Sequence, residues 1–328
     1  MIQVRLRKAL FLLALTAWLP SGFGQPVDGR KDWPREPIVF VAPFSPGGGG
    51  DTLTRAFAQQ LAQALGSPVI VENRPGAGGN MGTASVARAA PDGQTLVFGT
   101  MGTMGTNHAL YKKTGYGVND FEPVAMFGNT ALALVVGPNS SLRSVKDIVA
   151  QARQQPGQLS CASGGNGTVS QLACALLHQL AGIDLNHIPY KATSAAYVDL
   201  MTDRVSFMID VLPPLAPQIG SGKLRALAVS TKQRLPALPD TPTIAETVPG
   251  YELFSWDGLF APRGTPKERL DRLHAAMNQA LGNPAFAQTM AARGYTLAPM
   301  SRQAFADFVA QEQQRMGGMV RKLGISLD

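Results

Sequence analysis

Three times along this chain a short apolar run ends in a glycine-rich turn: "FSPGGGGD" at 44–51, "GTMGTMGTN" at 99–107 and "SGGNGT" at 163–168. The first run, Ile38-Val39-Phe40-Val41-Ala42, is continuous and rich in β-branched residues, which suits a strand buried on both faces. After the first turn the period changes to that of a helix. Leu53, Phe57, Leu61 and Leu65 recur every four residues, with Ala56 and Ala64 beside them. Asp51 stands where an N-cap belongs and Gly66 where a left-handed stop belongs. A strand followed by a turn and a helix, repeated along a chain, restricts it to an open, mainly parallel α/β sheet. Ligands in such sheets sit beyond the carboxyl ends of the strands, where all three turns fall.

Alternation continues almost to the end. Strands are expected at Val69–Val71 and Thr95–Gly99, with a loop at "RPGAGGNMG" and a short helix from Thr83 to Ala90. "EPVAMFGNTALALVVGPNS" then holds two apolar runs with no helix between them. A second alternating unit follows: a helix capped by Ser144, a strand at Leu159–Ala162, a helix from Thr168 to Ala181, strands at Leu185–Tyr190, Val205–Asp210 and Leu224–Val229, and a helix near Ala195–Thr202. "RLPALPDTPTIAETVPG" reads as a surface segment, and "YELFSWDGLFAP" as an extended return. Thr265-Pro266-Lys267-Glu268, Asn283-Pro284 and Ser301 each start a helix. The pattern therefore predicts two α/β domains, 33–130 plus 255–328 and 131–254, joined by two extended crossings. That is the hinged plan of a type II-like periplasmic binding protein, the Venus flytrap.

The glycine turns set a chemical question. Free N–H groups at a helix start, with the helix dipole, favour an anion. A nucleotide phosphate loop would need Lys and a hydroxyl after its last glycine, and Asp51-Thr52 follow Gly50. The dinucleotide fingerprint would need glycine at 52, where Thr stands. A carboxylate would use the same N–H groups without a lysine. A tight turn needing positive φ explains the glycines equally well.

The first 24 residues have Arg5, Arg7 and Lys8, an apolar core from Ala9 to Leu19, and small residues ending at Gly24. This is the pattern of a secretory signal peptide cleaved near Gly24, and the core is too short to span a bilayer. It implies export to a bacterial periplasm. About 300 residues would remain, enough for two ordinary domains. Their formal charge would fall from +7 to +4. The basic residues are scattered, which argues against nucleic acid as a partner, and a mild positive excess helps attract small anions. Cys161 and Cys174 admit a disulfide in an oxidising compartment, with two buried thiols slightly favoured. The four histidines are dispersed, and neither they nor the cysteines have metal-ligand spacing; no cofactor is expected.

The segments "PFSPGGGGDTLTR", "VENRPGAGGNMGT", "SGGNGTVSQLA", "IPYK", "GKLRALAVS", "RLPALPDTPTIAE", "PGYE" and "GLFAPRGTP" stand in an order and spacing that resembles one family across the whole mature chain. They are those of the substrate receptors of the tripartite tricarboxylate transporters, also called Bug receptors. The resemblance implies a Venus-flytrap fold that captures a small carboxylate or amino acid and delivers it, as a monomer, to membrane transporter subunits. A periplasmic sensor that signals to a membrane receptor is the alternative. A hydrolase using Ser163 or Ser170 fits poorly, because no G-x-S-x-G elbow is present.

The resemblance places the ligand against Phe44, Ser45, Pro46, Gly47, Gly48 and Asp51 in the first turn. In the middle turn it points to Thr103, Thr106 and Asn107. In the third it points to Ser163, Gly164, Gly165, Gly167, Thr168 and Ser170, with Asp210 at a strand end. Asp51 is equally well explained as a helix cap, Thr168 and Ser170 as caps of the next helix, and Asp210 as a loop-orienting acid. Trp256 and Phe254 are expected to pack the second crossing. Four positions depart from the family pattern on the second-domain side: the run Gln171 to Ala175, Ala192, Thr202-Asp203 and Val211. No Arg or Lys lies in the three turns. A polycarboxylate would leave buried charges unpaired, so a small mono- or dicarboxylate is expected.

Overall fold

Backbone pairing at one long strand organises the molecule. The computed structural model describes residues 33–191, 193–324 and 326. The expected signal peptide and Ala192 lie outside the described residues. The first half is built from β1 (Ile38–Ala42), α1 (Gly49–Leu65), β2 (Val69–Asn73), α2 (Asn80–Ala87), β3 (Thr95–Thr100) and α3 (Asn107–Leu110). β4 (Phe121–Val136) leads to α4 (Val145–Gln154), β5 (Ser160–Ser163), α5 (Val169–Ala181), β6 (Asn186–Pro189), α6 (Thr193–Met201), β7 (Phe207–Val211), α7 (Leu212–Gly220) and β8 (Arg225–Val229). β9 (Phe254–Pro262) returns the chain to the first half, followed by α8 (Lys267–Leu281), α9 (Pro284–Ala291), β10 (Tyr295–Leu297) and α10 (Arg302–Leu323).

The described strands form one sheet in the order β2-β1-β3-β9-β4-β7-β5-β6, with β10 and β8 also pairing β4. The βα units pair in parallel, β1 with β2 and β3, and β5 with β6 and β7. β9 is antiparallel to both its neighbours. The two apolar runs at 121–136 are thus a single strand, and its partners change in the middle. Phe121 to Ala131 pairs with β9, and Gly128 to Thr130 with β10. Leu132 to Val136 pairs with β7 and β8. Because β4 runs through both sets, residues from Pro34 onward cluster as one unit.

Both halves bury apolar faces. In the first, Phe57 of α1 stacks on Phe127 of β4 with centroids 4.0 Å apart, and Phe40 and Phe98 close around the same ring. Aromatic pairs of this kind add about 0.5–1.5 kcal/mol each beyond area burial. Trp256 is fully buried; its ring stands edge-on to Phe305 and Phe308 and its Nε1 donates to Glu312 at 3.0 Å. It packs the crossing, as expected.

Caps agree with the sequence at Ser144, Thr168, Asn283 and Ser301, and at Gly66, Gly182 and Gly324 in left-handed conformation. Several expectations are corrected. α1 starts two residues before Asp51, with Gly48 as its N-cap. Asp51 sits inside the first turn and reaches back to the Gly47 N–H at 2.8 Å. The Thr265 hydroxyl donates to the Pro262 carbonyl at 2.7 Å instead of capping α8. α2 begins at Asn80, not Thr83, because Gly78 and Gly79 take positive φ and bring the chain in from the left-handed region. The middle glycine turn is helical: Gly102–Thr106 forms a π-turn that runs into α3, and every residue of it is buried. "LPPLAPQIG" is α7 despite three prolines; two lie in the first turn, whose N–H groups need no intrahelical partner. β10, a three-residue edge strand, was not foreseen. Cys161 and Cys174 are disulfide-bonded, not free thiols: β5 and α5 bring their Cα atoms to 6.1 Å.

Candidate functional site

The turns after β1 and β5 face one another across a cleft with about 780 Å³ of empty space, counted to its open mouth. Gly48, Gly49 and Gly50 present the start of α1 on one side, and Gly167, Thr168 and Val169 present the start of α5 on the other. The first N–H groups of a helix have no partner within it, so both ends offer donors and a positive dipole. Apolar walls come from Phe44, Leu53, Phe98 and Val211, and hydroxyls from Ser45, Thr100, Thr193 and Ser255.

Close approach explains two of the glycines. A methyl carbon on Gly49 would stand 2.6 Å from Cγ2 of Val211, and one on Gly78 would stand 2.7 Å from the Asn166 carbonyl. Both contacts join residues on opposite sides of the cleft. Two hydrogen bonds span it as well. Ser45 Oγ donates to the Lys191 carbonyl and Tyr111 OH to the Asn166 carbonyl, each at 2.9 Å. The cleft is therefore in a closed arrangement.

Of the residues expected at the ligand, Phe44, Ser45, Gly48, Gly164, Gly167, Thr168 and Asp210 line the cleft, and Gly165 lines its mouth. The others lie outside its lining. Pro46 and Gly47 are exposed. Asp51 is spent on the turn: it accepts from Gly47 N–H and from Asn73 Nδ2 at 2.8 Å, and pairs with Arg55 Nε at 2.9 Å. Burial alone would raise its pKa, but these partners outweigh burial and hold it below the usual carboxylate value. Thr103 exchanges bonds with Thr100, and Thr106 donates to the Gly102 carbonyl. Asn107 Nδ2 donates to the Gly78 carbonyl at 3.1 Å and to Asn80 at 2.7 Å, so the middle turn braces the loop that carries Gly78. Ser170 donates to the Ile209 carbonyl at 2.6 Å.

Ser163 Oγ lies 2.7 Å from His187 Nε2 and also meets the Gly165 backbone. Among the described residues no carboxylate bonds His187, and Ser163 is fully buried, so the pair holds the glycine turn rather than facing the cleft. Gln171, a departure from the family pattern, accepts from the Gly167 N–H at 2.8 Å and fixes the same turn.

Two buried carboxyls face the cleft. Asp210 is 6% exposed; burial pushes its pKa up to about 6, against hydrogen bonds from Val211 N–H and Tyr197 OH that favour the ion. Asp257, on β9, was not singled out from the sequence. It is 3% exposed, and burial pushes its pKa up to about 8. The Tyr295 hydroxyl points towards it and opposes the rise, yet the approach falls short of a well-formed hydrogen bond. Both Oδ2 of Asp257 and the Tyr295 oxygen are left unpartnered. The signal was present: Asp257 is a lone acid inside the apolar crossing "LFSWDGLFAP", where local preference opposes it. Lys191, also not foreseen, is an exposed cation at the mouth.

Residues 53–325 match the profile of the tripartite tricarboxylate transporter family receptor. The chain belongs to this family. Among solved receptors, an R. palustris protein with adipate is 34% identical with a TM-score of 0.87, covering 90% of this chain and all of that one. The periplasmic binding protein BugD is 33% identical with a TM-score of 0.85 over the same shares. MatC from Rhodopseudomonas palustris, with bound malate, is 32% identical with a TM-score of 0.83, covering 88% of this chain and all of that one. The receptor family has the two-domain solute-binding fold that the alternating pattern predicted. No helix among the described residues is long and apolar enough to cross a membrane.

Proposed function

We propose that this receptor captures a small carboxylate in the cleft and delivers it to a tripartite tricarboxylate-type membrane transporter. The carrying observation is the juxtaposition of two helix starts, Gly48–Gly50 of α1 and Gly167–Val169 of α5, across one closed cleft. Several charge-assisted hydrogen bonds at about 1.5–3 kcal/mol each offset the desolvation of one carboxylate. The adipate and malate held by similar receptors support the same ligand class. Closure is a rotation of two domains, 33–130 plus 255–328 against 131–254, about the two crossings. The partner change at Ala131 and Leu132 of β4 supports that boundary. The protein is exported, cleaved near Gly24, and works as a monomer without catalysis; Ser163 is buried outside the cleft lining, and His187 has no carboxylate partner among the described residues.

The test is a thermal-shift series on residues 25–328 with adipate, malate and amino acids, and with the matching amides, which lack a carboxylate. A ligand at a hundredfold excess over its Kd adds about 2.7 kcal/mol of stability. Stabilisation by a small carboxylate supports the reading, and stabilisation only by compounds lacking a carboxylate overturns it.

A further inference from the structure

Among the described residues, no ion pair balances the charge of one acid that lines the cleft. Asp257 is 3% exposed, lines the cavity beside Thr100 and Ser255, and has one sealed carboxyl oxygen, Oδ2, with no hydrogen-bond partner among the described residues. Its strand neighbour Trp256 points to the opposite face, where α10 places Glu312 and Arg315 in their own ion pair. Tyr295 of β10 stands beside Asp257, and the second acid, Asp210 of β7, and the exposed Lys191 after β6 line the same cavity. α1 adds only Asp51 and Arg55, which are tied to the first glycine turn. An unpaired buried carboxylate is costly, and a second anion brought beside it makes the cost greater. A proton on Asp257 removes both penalties and makes the carboxyl a donor towards the cavity that it lines.

We propose that Asp257 is a specificity-determining residue that binds a ligand carboxylate through its own carboxyl proton, so that solute capture takes up a proton from water whenever Asp257 was ionised beforehand. The inference rests on the carboxylate reading above. The O–H of the acid donates to a ligand oxygen; no covalent bond forms or breaks beyond that protonation. Burial, which lifts the free acid to about 8, agrees with a neutral Asp257 at pH 7. Asp210 differs, because Tyr197 and the Val211 N–H satisfy its ionised form.

Calorimetry with adipate and with malate from pH 6 to pH 9, in two buffers of different ionisation enthalpy, tests it on the wild type, Asp257→Asn and Asp257→Leu. Circular dichroism checks that each variant is folded. Wild-type affinity is expected to be level below pH 7 and to fall by up to about tenfold per pH unit above pH 8, with proton uptake approaching one per ligand. Asp257→Asn, a permanent donor, is expected to bind with no such fall and no uptake, and Asp257→Leu to bind at least tenfold more weakly at pH 6. A flat wild-type profile without uptake overturns the proposal and leaves the carboxylate reading standing. So does binding of aspartate or glutamate that tightens as pH rises through 8, which would show an ionised Asp257 pairing with an ammonium. Failure of adipate, malate, aspartate and glutamate alike at every pH overturns the carboxylate reading together with this inference.

Discussion

Gly49→Ala is the smallest change that separates closure from folding. Gly49 is the first residue of α1, where its φ is ordinary and alanine is a good helix former. The isolated first half therefore loses nothing. Across the cleft the added carbon would stand 2.6 Å from Cγ2 of Val211 and 3.3 Å from Cγ of Pro214, where relaxed carbons keep about 3.5–4.0 Å. The halves must part by about 1 Å, or the side chains must leave their rotamers. Overpacking of this kind costs about 1–3 kcal/mol. The cost falls on the closed, ligand-bound state, so Kd is expected to rise by roughly five- to a hundredfold. Calorimetry with malate measures it, and the melting temperature without ligand checks the fold. Val211→Ala removes the struck methyl group, and the double variant is expected to recover most of the affinity, as contact pairs do in a double-mutant cycle. Unchanged Kd in Gly49→Ala, with a wild-type melt, would refute the closed-cleft geometry.

Three further outcomes follow from the structure. Breaking the Cys161–Cys174 bond by double substitution with serine is expected to cost about 3 kcal/mol in urea unfolding, the chain-entropy value for so short a loop; equal stability would show that the bond contributes nothing. Tyr111→Phe removes the hydrogen bond to the Asn166 carbonyl across the cleft mouth, worth about 0.5–1.5 kcal/mol, so ligand dissociation should quicken several-fold in stopped flow, and an unchanged rate would remove the latch. Asp257 has a folded pKa raised above its unfolded value, so the native state binds the extra proton. Its contribution to stability is then lost as pH rises from about 4 to 8. Asp51 runs the opposite way: its contribution is present above the ordinary carboxylate pKa and is lost as acid titrates the lowered folded value. Asp257→Asn is expected to flatten the decline of melting temperature between pH 5 and pH 8, and an unaltered pH profile would show that the carboxyl is not buried as described.

Most of the framework was legible because it is local. Strand runs, helix periods and end residues such as Ser144, Asn283, Ser301, Gly66 and Gly182 report on their own neighbourhoods. What was not legible depends on partners far away in sequence. The middle glycine turn becomes helical because it is wholly buried beside α10. The cysteines bond because β5 and the first turns of α5 pack face to face. In the site, the resemblance named whole loops, while the fold divided them: Gly48 and Thr168 line the cleft, and Asp51, Thr103, Asn107 and Ser170 are bonded within the turns and elements behind it. Asp257 lies more than 150 residues from the first turn and enters the cleft only because β9 lies between β3 and β4. Its mismatch with an apolar strand was a visible anomaly, and tertiary contact explains it.

A crystal structure of residues 25–328 grown with malate or adipate would show whether the two helix starts hold the ligand. A ligand carboxylate is expected within hydrogen-bond reach of the N–H groups that start α1 or α5, directly or through one bridging water, with Ser45–Lys191 and Tyr111–Asn166 closed over it. A ligand bound outside this cleft, or inside it with both helix starts unoccupied, would contradict the account.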